Sequence, residues 1–201
     1  MPSSIGASRG YHHGNLRAEL LQAAERQLEL TGPEGVSLRE LARELGVSHG
    51  AYRFHFASKD DLLTALALDG LDRLRAQLEP AMTQAEGSLA DRLRCFAGVY
   101  VAFAVKHPAL LALILARKRD GGAQYESAMG ATFATSIEML DQARRVGEID
   151  PADAERQDTA LLAMLQGMAV LIASRLLVDR TPDQIIDAGV QTLLHGLHRQ
   201  L

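Results

Sequence analysis

Between Leu45 and Lys59, fifteen consecutive residues hold no aspartate or glutamate, yet they include His49, Arg53, His55 and Lys59 and the rings of Tyr52, Phe54 and Phe56. Cations free of neighbouring acids attract phosphate, and an arginine fork fits either a phosphate or the O6/N7 edge of guanine. The segment therefore points to nucleic acid. The two histidines have no cysteine or acid nearby to complete a zinc site, so no metal and no cofactor is expected. Nucleophile–base pairs, a glycine-rich phosphate loop and a G-x-S-x-G elbow are all missing from the sequence, so no catalytic residue is assigned.

Such a segment works only if the chain holds it rigidly and turns it outward. Leu38, Leu41, Ala42 and Leu45 fall at i, i+3, i+4 and i+7, which makes one buried helical stripe, with Arg39, Arg43 and Glu44 opposite. Gly46 ends that helix, Val47 is an apolar plug, and Ser48 caps a new helix two residues later. Two helices joined so tightly form a helix-turn-helix, which needs small residues at the crossing and glycine in the turn. The second helix then offers a nearly bare first turn at Gly50 and Ala51, and Lys59 stands at the start of the next helix, where free N–H groups favour a phosphate.

Here a resemblance is plain. "SLRELARELGVSHGAYRFHFASKDDLL", preceded by "NLRAELLQAAERQLELTGPEGV", resembles the DNA-binding domain of the TetR family of bacterial transcriptional regulators, without a gap from about Tyr11 to Leu71. The resemblance implies that the helix from Ser48 is the recognition helix and that Arg39, Ser48, His49, Gly50, Ala51, Arg53, Phe54, His55 and Lys59 touch DNA. Family members usually carry leucine then tyrosine before the aromatic-His-Phe end, where this chain has Tyr52 then Arg53. Arg53 can replace the tyrosine's phosphate contact or read a base.

The remainder of the chain restrains this basic segment. With 25 acidic residues against 21 Lys and Arg, the formal net charge is -4, which argues against blanket nucleic-acid binding. At 201 residues and 47% hydrophobic the chain can bury a sizeable core. A single cysteine, Cys95, excludes an internal disulfide, and the absence of an apolar leader and of a membrane-length apolar run leads to an expectation of a bacterial cytoplasmic protein that meets no membrane. Strand alternation and hairpin dipeptides are wanting, whereas helix starts and stops recur, so the expected class is all-α. Capping boxes are expected at Ser37/Glu40, Ser58/Asp61, Ser88/Asp91, Asp150/Asp153 and Thr181/Gln184. About nine helices follow, over 15–31, 37–45, 48–55, 58–79, 88–106, 108–118, 124–146, 150–179 and 182–199. They divide into a helix-turn-helix domain at 1–57, with an arm at 1–14, and a larger helical domain at 58–201. The arm's Arg9, His12 and His13, with Arg17, suit either a disordered tail or a segment that touches DNA.

In the larger domain Phe96, Tyr100 and Phe103 share one helical face, and Met129 and Phe133 make a similar stripe. With Met164 and Met168 these could line a small-molecule pocket, although core packing explains the same pattern. The stretches "YVAFAVKHPALLALI" and "LLAMLQGMAVL" resemble the TetR subgroup with a WHG-type effector domain, with Leu162 and Gln166 in place of the subgroup's tryptophan and histidine. The helices at 150–179 and 182–199 are apolar around much of their surfaces and so need partners on more than one side. A homodimer pairing them would also present two recognition helices to two half-sites. His195 and His198 read as a solvated or interface edge. The expectation is a homodimeric repressor that binds a double-stranded DNA operator and is released by a small-molecule effector. The alternatives are an architectural DNA binder without sequence choice and a helical enzyme.

Overall fold

A computed structural model describes residues 16–117, 122–151 and 154–197. Among these there are nine helices and no strand. The chain divides into two compact units, Met1–Leu66 and Ala67–Leu201.

In the first unit α1 (Leu16–Gly35), α2 (Leu38–Glu44), α3 (His49–His55) and the beginning of α4 (Lys59–Gln84) enclose a leucine core. Leu20, Leu28, Leu41, Leu62 and Leu66 are fully shielded from solvent, and Val36, Tyr52 and Phe56 close the edges. The α2 stripe is inward as its spacing requires, with Leu41 and Ala42 buried and Leu38 and Leu45 half-buried. Helix α1 breaks at Gly32, whose φ of 71° is open to glycine without strain, and Pro33 begins a last short turn. Ser37 Oγ accepts from Glu40 N–H, and the Ser37 N–H donates to Gln27 Oε1 on α1 rather than to Glu40 (3.2 Å).

The turn between α2 and α3 is a Schellman motif. Gly46 takes φ 67°, Val47 N–H donates to Ala42 O (2.9 Å) and Gly46 N–H to Arg43 O (3.3 Å). Ser48 then caps α3 by accepting from Ala51 N–H (3.2 Å). Ser58 and Asp61 satisfy each other's backbone N–H groups at the head of α4, both at 3.0 Å.

In the second unit α5 (Leu89–Lys106) lies at the centre and packs on α6 (Pro108–Arg117), α7 (Gly122–Arg145), α8 (Ala154–Ala173) and α9 (Pro182–Leu197). Leu71, Leu74, Leu93, Ala97, Leu110 and Val190 are among its most deeply buried residues. Gly70 of α4 is a point of close approach, since a β-carbon there would come 2.9 Å from Ile114 Cδ1. Ser88/Asp91 and Thr181/Gln184 form complete capping boxes, whereas Asp153 lies outside the described residues.

Two helix ends differ from the sequence reading. Helix α4 continues past residue 79 through Pro80 to Gln84. Pro80 is exposed, so the carbonyl that its missing N–H leaves over can turn to water. Helix α8 stops at Ala173 instead of 179 and is about 30 Å long for its 20 residues. A second Schellman motif ends it, with Leu176 N–H donating to Leu171 O (3.3 Å) and Arg175 N–H to Ile172 O (3.2 Å). The left-handed residue here is Arg175, at φ 51°, rather than a glycine.

Candidate nucleic-acid interface

Helix α3 has one buried face and one bare one. Tyr52 and the following Phe56 are buried, and Arg17 lies over the Phe56 ring at 5.5 Å. At about 100° per residue, Gly50 and Phe54 lie opposite Tyr52, with Arg53 on one flank and Ala51 on the other. Ser48, His49, Gly50, Arg53 and Phe54 are exposed, and Ala51 and His55 are half-buried. Phe54 is 86% exposed and meets the His55 ring edge-on at 5.3 Å. His49 stands edge-on to Tyr52 at 5.0 Å, so the buried ring braces the first turn. Arg53 Nη2 reaches along the helix to Ala57 O (3.4 Å), leaving most of its fork free to face outward. Arg39 and Arg43 lie exposed on α2, while Glu44, the nearest acid to the turn, is held by Arg26 at 2.7 Å.

Of the nine residues expected to meet DNA, Gly50, Ala51, Arg53 and Phe54 lie on the bare side of α3, His49 and the half-buried His55 flank Tyr52, and Arg39 is exposed on α2. Lys59 differs: its Nζ donates to Glu34 O (2.8 Å) and lies 3.8 Å from Glu34 Oε2, tying the head of α4 to the end of α1. The tie was not visible in the sequence, because it joins residues 25 apart whose approach depends on the break at Gly32. The arm residues Arg9, His12 and His13 lie outside the described residues.

The bare face, braced by a Schellman turn and a serine cap, agrees with what the comparisons find. Residues 20–66 match the family described as "Bacterial regulatory proteins, tetR family", and residues 93–195 match "Tetracyclin repressor-like, C-terminal domain". The chain belongs to the TetR family. That family consists of DNA-binding transcriptional regulators and not of enzymes. A solved protein of unknown function from Rhodococcus sp. RHA1 is 39% identical at a TM-score of 0.82, over 96% of this chain and 100% of that one. HTH-type transcriptional regulator Rv1816 of Mycobacterium tuberculosis is 35% identical over 101 residues, 49% of this chain and 43% of its own. HTH-type transcriptional repressor AcnR of Corynebacterium efficiens is 35% identical over 80 residues, 40% of this chain and 39% of its own. The chain thus spans less than half the length of these two curated relatives.

Where the TetR pattern usually has leucine then tyrosine, this chain buries Tyr52 and exposes Arg53, so the outward position carries a cation. In the TetR-like second domain the aromatic and methionine residues do not form one group. Phe96, Tyr100 and Phe133 pack together with ring centroids 6.3–6.4 Å apart. Gln166 Nε2 donates to the Tyr100 hydroxyl (2.6 Å), and burial pushes that phenol up to about 12. Phe103 packs separately on His107 at 5.1 Å, and Met129 is half-buried on α7. Met164 and Met168 line a different place, a groove of about 570 Å³ between α8 and α9, with Leu171, Ile185, Gly189 and Leu193. Arg156, Gln157 and Arg180 give the groove polar ends that the sequence reading had missed. Among the described residues, no three metal-ligating side chains converge and no single helix is long and apolar enough to cross a membrane.

Proposed function

We propose that this chain is a sequence-specific DNA-binding transcriptional repressor, which acts as a homodimer on a two-fold operator in the bacterial cytoplasm and is released by a small-molecule effector. The exposed, acid-free outer face of α3 carries the reading. Gly50, Ala51 and Phe54 enter the major groove, His49 and Arg53 flank them, and Arg39 and Lys59 meet phosphates at either side. Arg53 lies beside the centre of that face, which favours a phosphate over a guanine edge. One of the Lys59 donors is used by Glu34 O, leaving others for a phosphate while the lysine stays fixed in place.

Dimerisation through α8 and α9 is supported by the apolar side chains that α8 and the loop after it leave exposed, Leu162, Val170, Leu176 and Val178. Two copies related by a two-fold axis would set two recognition helices about 34–36 Å apart, one turn of DNA. The effector reading rests on Met164 and Met168, whose groove has the size of a small-molecule site and adaptable apolar walls. The trio of Phe96, Tyr100 and Phe133 is in ring contact, so a ligand entering there must part the rings. Phe103, packed on His107, and the half-buried Met129 stand apart from that trio and would meet a ligand only if it reached beyond the rings. The effector acts by binding one arrangement of α4 more tightly than the other, which changes the spacing of the recognition helices.

Selection of bound duplexes from a random library tests the reading. A palindrome with half-sites one turn apart is expected. Retention of DNA without any enriched sequence would leave an architectural binder instead.

A further inference from the structure

Two features of α3 have no explanation within the protein. Gly50 lies in the first turn of α3, two residues past the Ser48 cap, where glycine still gives up more backbone freedom on folding than alanine does. Its φ lies outside the left-handed range, and a β-carbon built on it would meet only Ser48 Oγ, at 4.0 Å, so neither backbone geometry nor internal packing calls for glycine. One turn further on, Phe54 holds a whole ring in solvent, and the only ring it meets among the described residues is the neighbouring His55. Both residues occupy the centre of the outward face, so a body approaching that face would find bare backbone beside a projecting apolar ring.

The inference rests on the DNA-binding reading. A phenyl ring has no donor or acceptor and cannot hold a phosphate, and the apolar feature of the major groove is the 5-methyl group of a pyrimidine. We infer that Phe54 is a specificity-determining residue that packs on a pyrimidine 5-methyl in each half-site, and that Gly50 is glycine so that α3 can sink to the depth this contact needs. The methyl can come from thymine or from 5-methylcytosine. Chemically synthesised duplexes contain no 5-methylcytosine unless it is added, which separates the two sources.

The test uses the full chain and the synthetic duplex recovered by selection, with each thymine replaced in turn by deoxyuridine, so that only a methyl is removed. Burial of one methyl is worth about a fourfold change in affinity, and a symmetric pair about fifteenfold. One symmetric pair of thymines is expected to show this loss with the unsubstituted protein and none with Phe54→Ala, while other base changes keep their effect in both. If a cytosine position gains that much affinity on 5-methylation and no thymine loses it on demethylation, the methyl belongs to 5-methylcytosine. Gly50→Leu should weaken the selected duplex by more than about tenfold while the thermal melt holds or rises, since the side chain enters open space and leucine gives up less backbone freedom than glycine. Insensitivity to every methyl, or an equal deoxyuridine penalty in Phe54→Ala, would overturn the inference and leave the DNA-binding reading intact. Failure to select any duplex would remove both.

Discussion

Arg144 is a heavily bonded side chain of the second unit, and its removal has a predictable cost. The side chain is 10% exposed and donates through Nη1 to Asp141 (2.8 Å), through Nη2 to Asp158 (2.6 Å) and through Nε to Gln157 Oε1 (3.1 Å). Gln157 in turn donates to Asp150 O, so a single fork ties the end of α7 to the start of α8. In Arg144→Ala the carbonyl of Gln157, a residue 4% exposed, loses its donor in a buried place, which costs about 1–3 kcal/mol. Asp141 and Asp158 are 44% and 56% exposed, so water replaces much of what the arginine gave them, and the ion pairs add no more than about 1 kcal/mol together. The total is about 1–4 kcal/mol, and a chain of 201 residues loses roughly 2–4 °C of melting temperature per kcal/mol. A melt followed by circular dichroism should therefore fall by about 2–16 °C. Arg144→Lys, which keeps the charge but not the fork, should lie between the two. A melt of Arg144→Ala within about 1 °C of the unsubstituted chain would refute the view that this fork holds α7 and α8 together.

Burial pushes both Tyr100 and Tyr125 up to about 12 from an ordinary value of 10.0, so the folded chain keeps two protons that the unfolded chain releases. Their contribution is complete below pH 10 and is lost as pH rises towards 12, at about 1.4 kcal/mol per pH unit for each ring. Denaturant melts across that window should show the slope, and Tyr100→Phe should remove one ring's share. Arg175 stands in the left-handed region at φ 51°, so Arg175→Gly should raise stability by about 0.5–1 kcal/mol in the same melts, whereas Gly46→Ala, at φ 67°, should lower it by about 1 kcal/mol or more.

The helix-turn-helix was legible because its signals are local. Ser48, Gly46 and the Leu41/Ala42 stripe each act within one turn, and the structure uses each as its residue type requires. The boxes at Ser58, Ser88 and Thr181 form for the same reason, since both partners belong to one helix turn. At Ser37 only half of the local pattern holds, because Gln27, ten residues earlier, reaches its N–H. The end of α8 was hidden by Arg175, a residue type that does not announce a left-handed cap. Side-chain partners distant in sequence were equally hidden, among them Lys59 with Glu34, Gln166 with Tyr100, and Arg144 with Asp158. The candidate effector residues show the limit of periodicity. Spacing put Phe96 and Tyr100 on one face of α5, but it could not tell that Phe133 closes on them while Met164 and Met168 turn to α9. Gly50 and Phe54 stood in view in the sequence, yet only the exposed face of α3 shows that neither residue serves the protein's own packing.

The central claim is that α3 reads DNA sequence. Its most direct test is the affinity of the chain for the selected duplex and for a scrambled duplex of equal length, measured over a range of salt with the unsubstituted protein and Arg53→Ala. A preference of about a thousandfold near physiological salt is expected. Arg53→Ala should weaken both duplexes and lower the salt slope by about 1.8, because each of the two half-sites then has one phosphate fewer neutralised by the protein. Equal affinity for the two duplexes, or a salt slope unmoved by the removal of Arg53, would contradict the account.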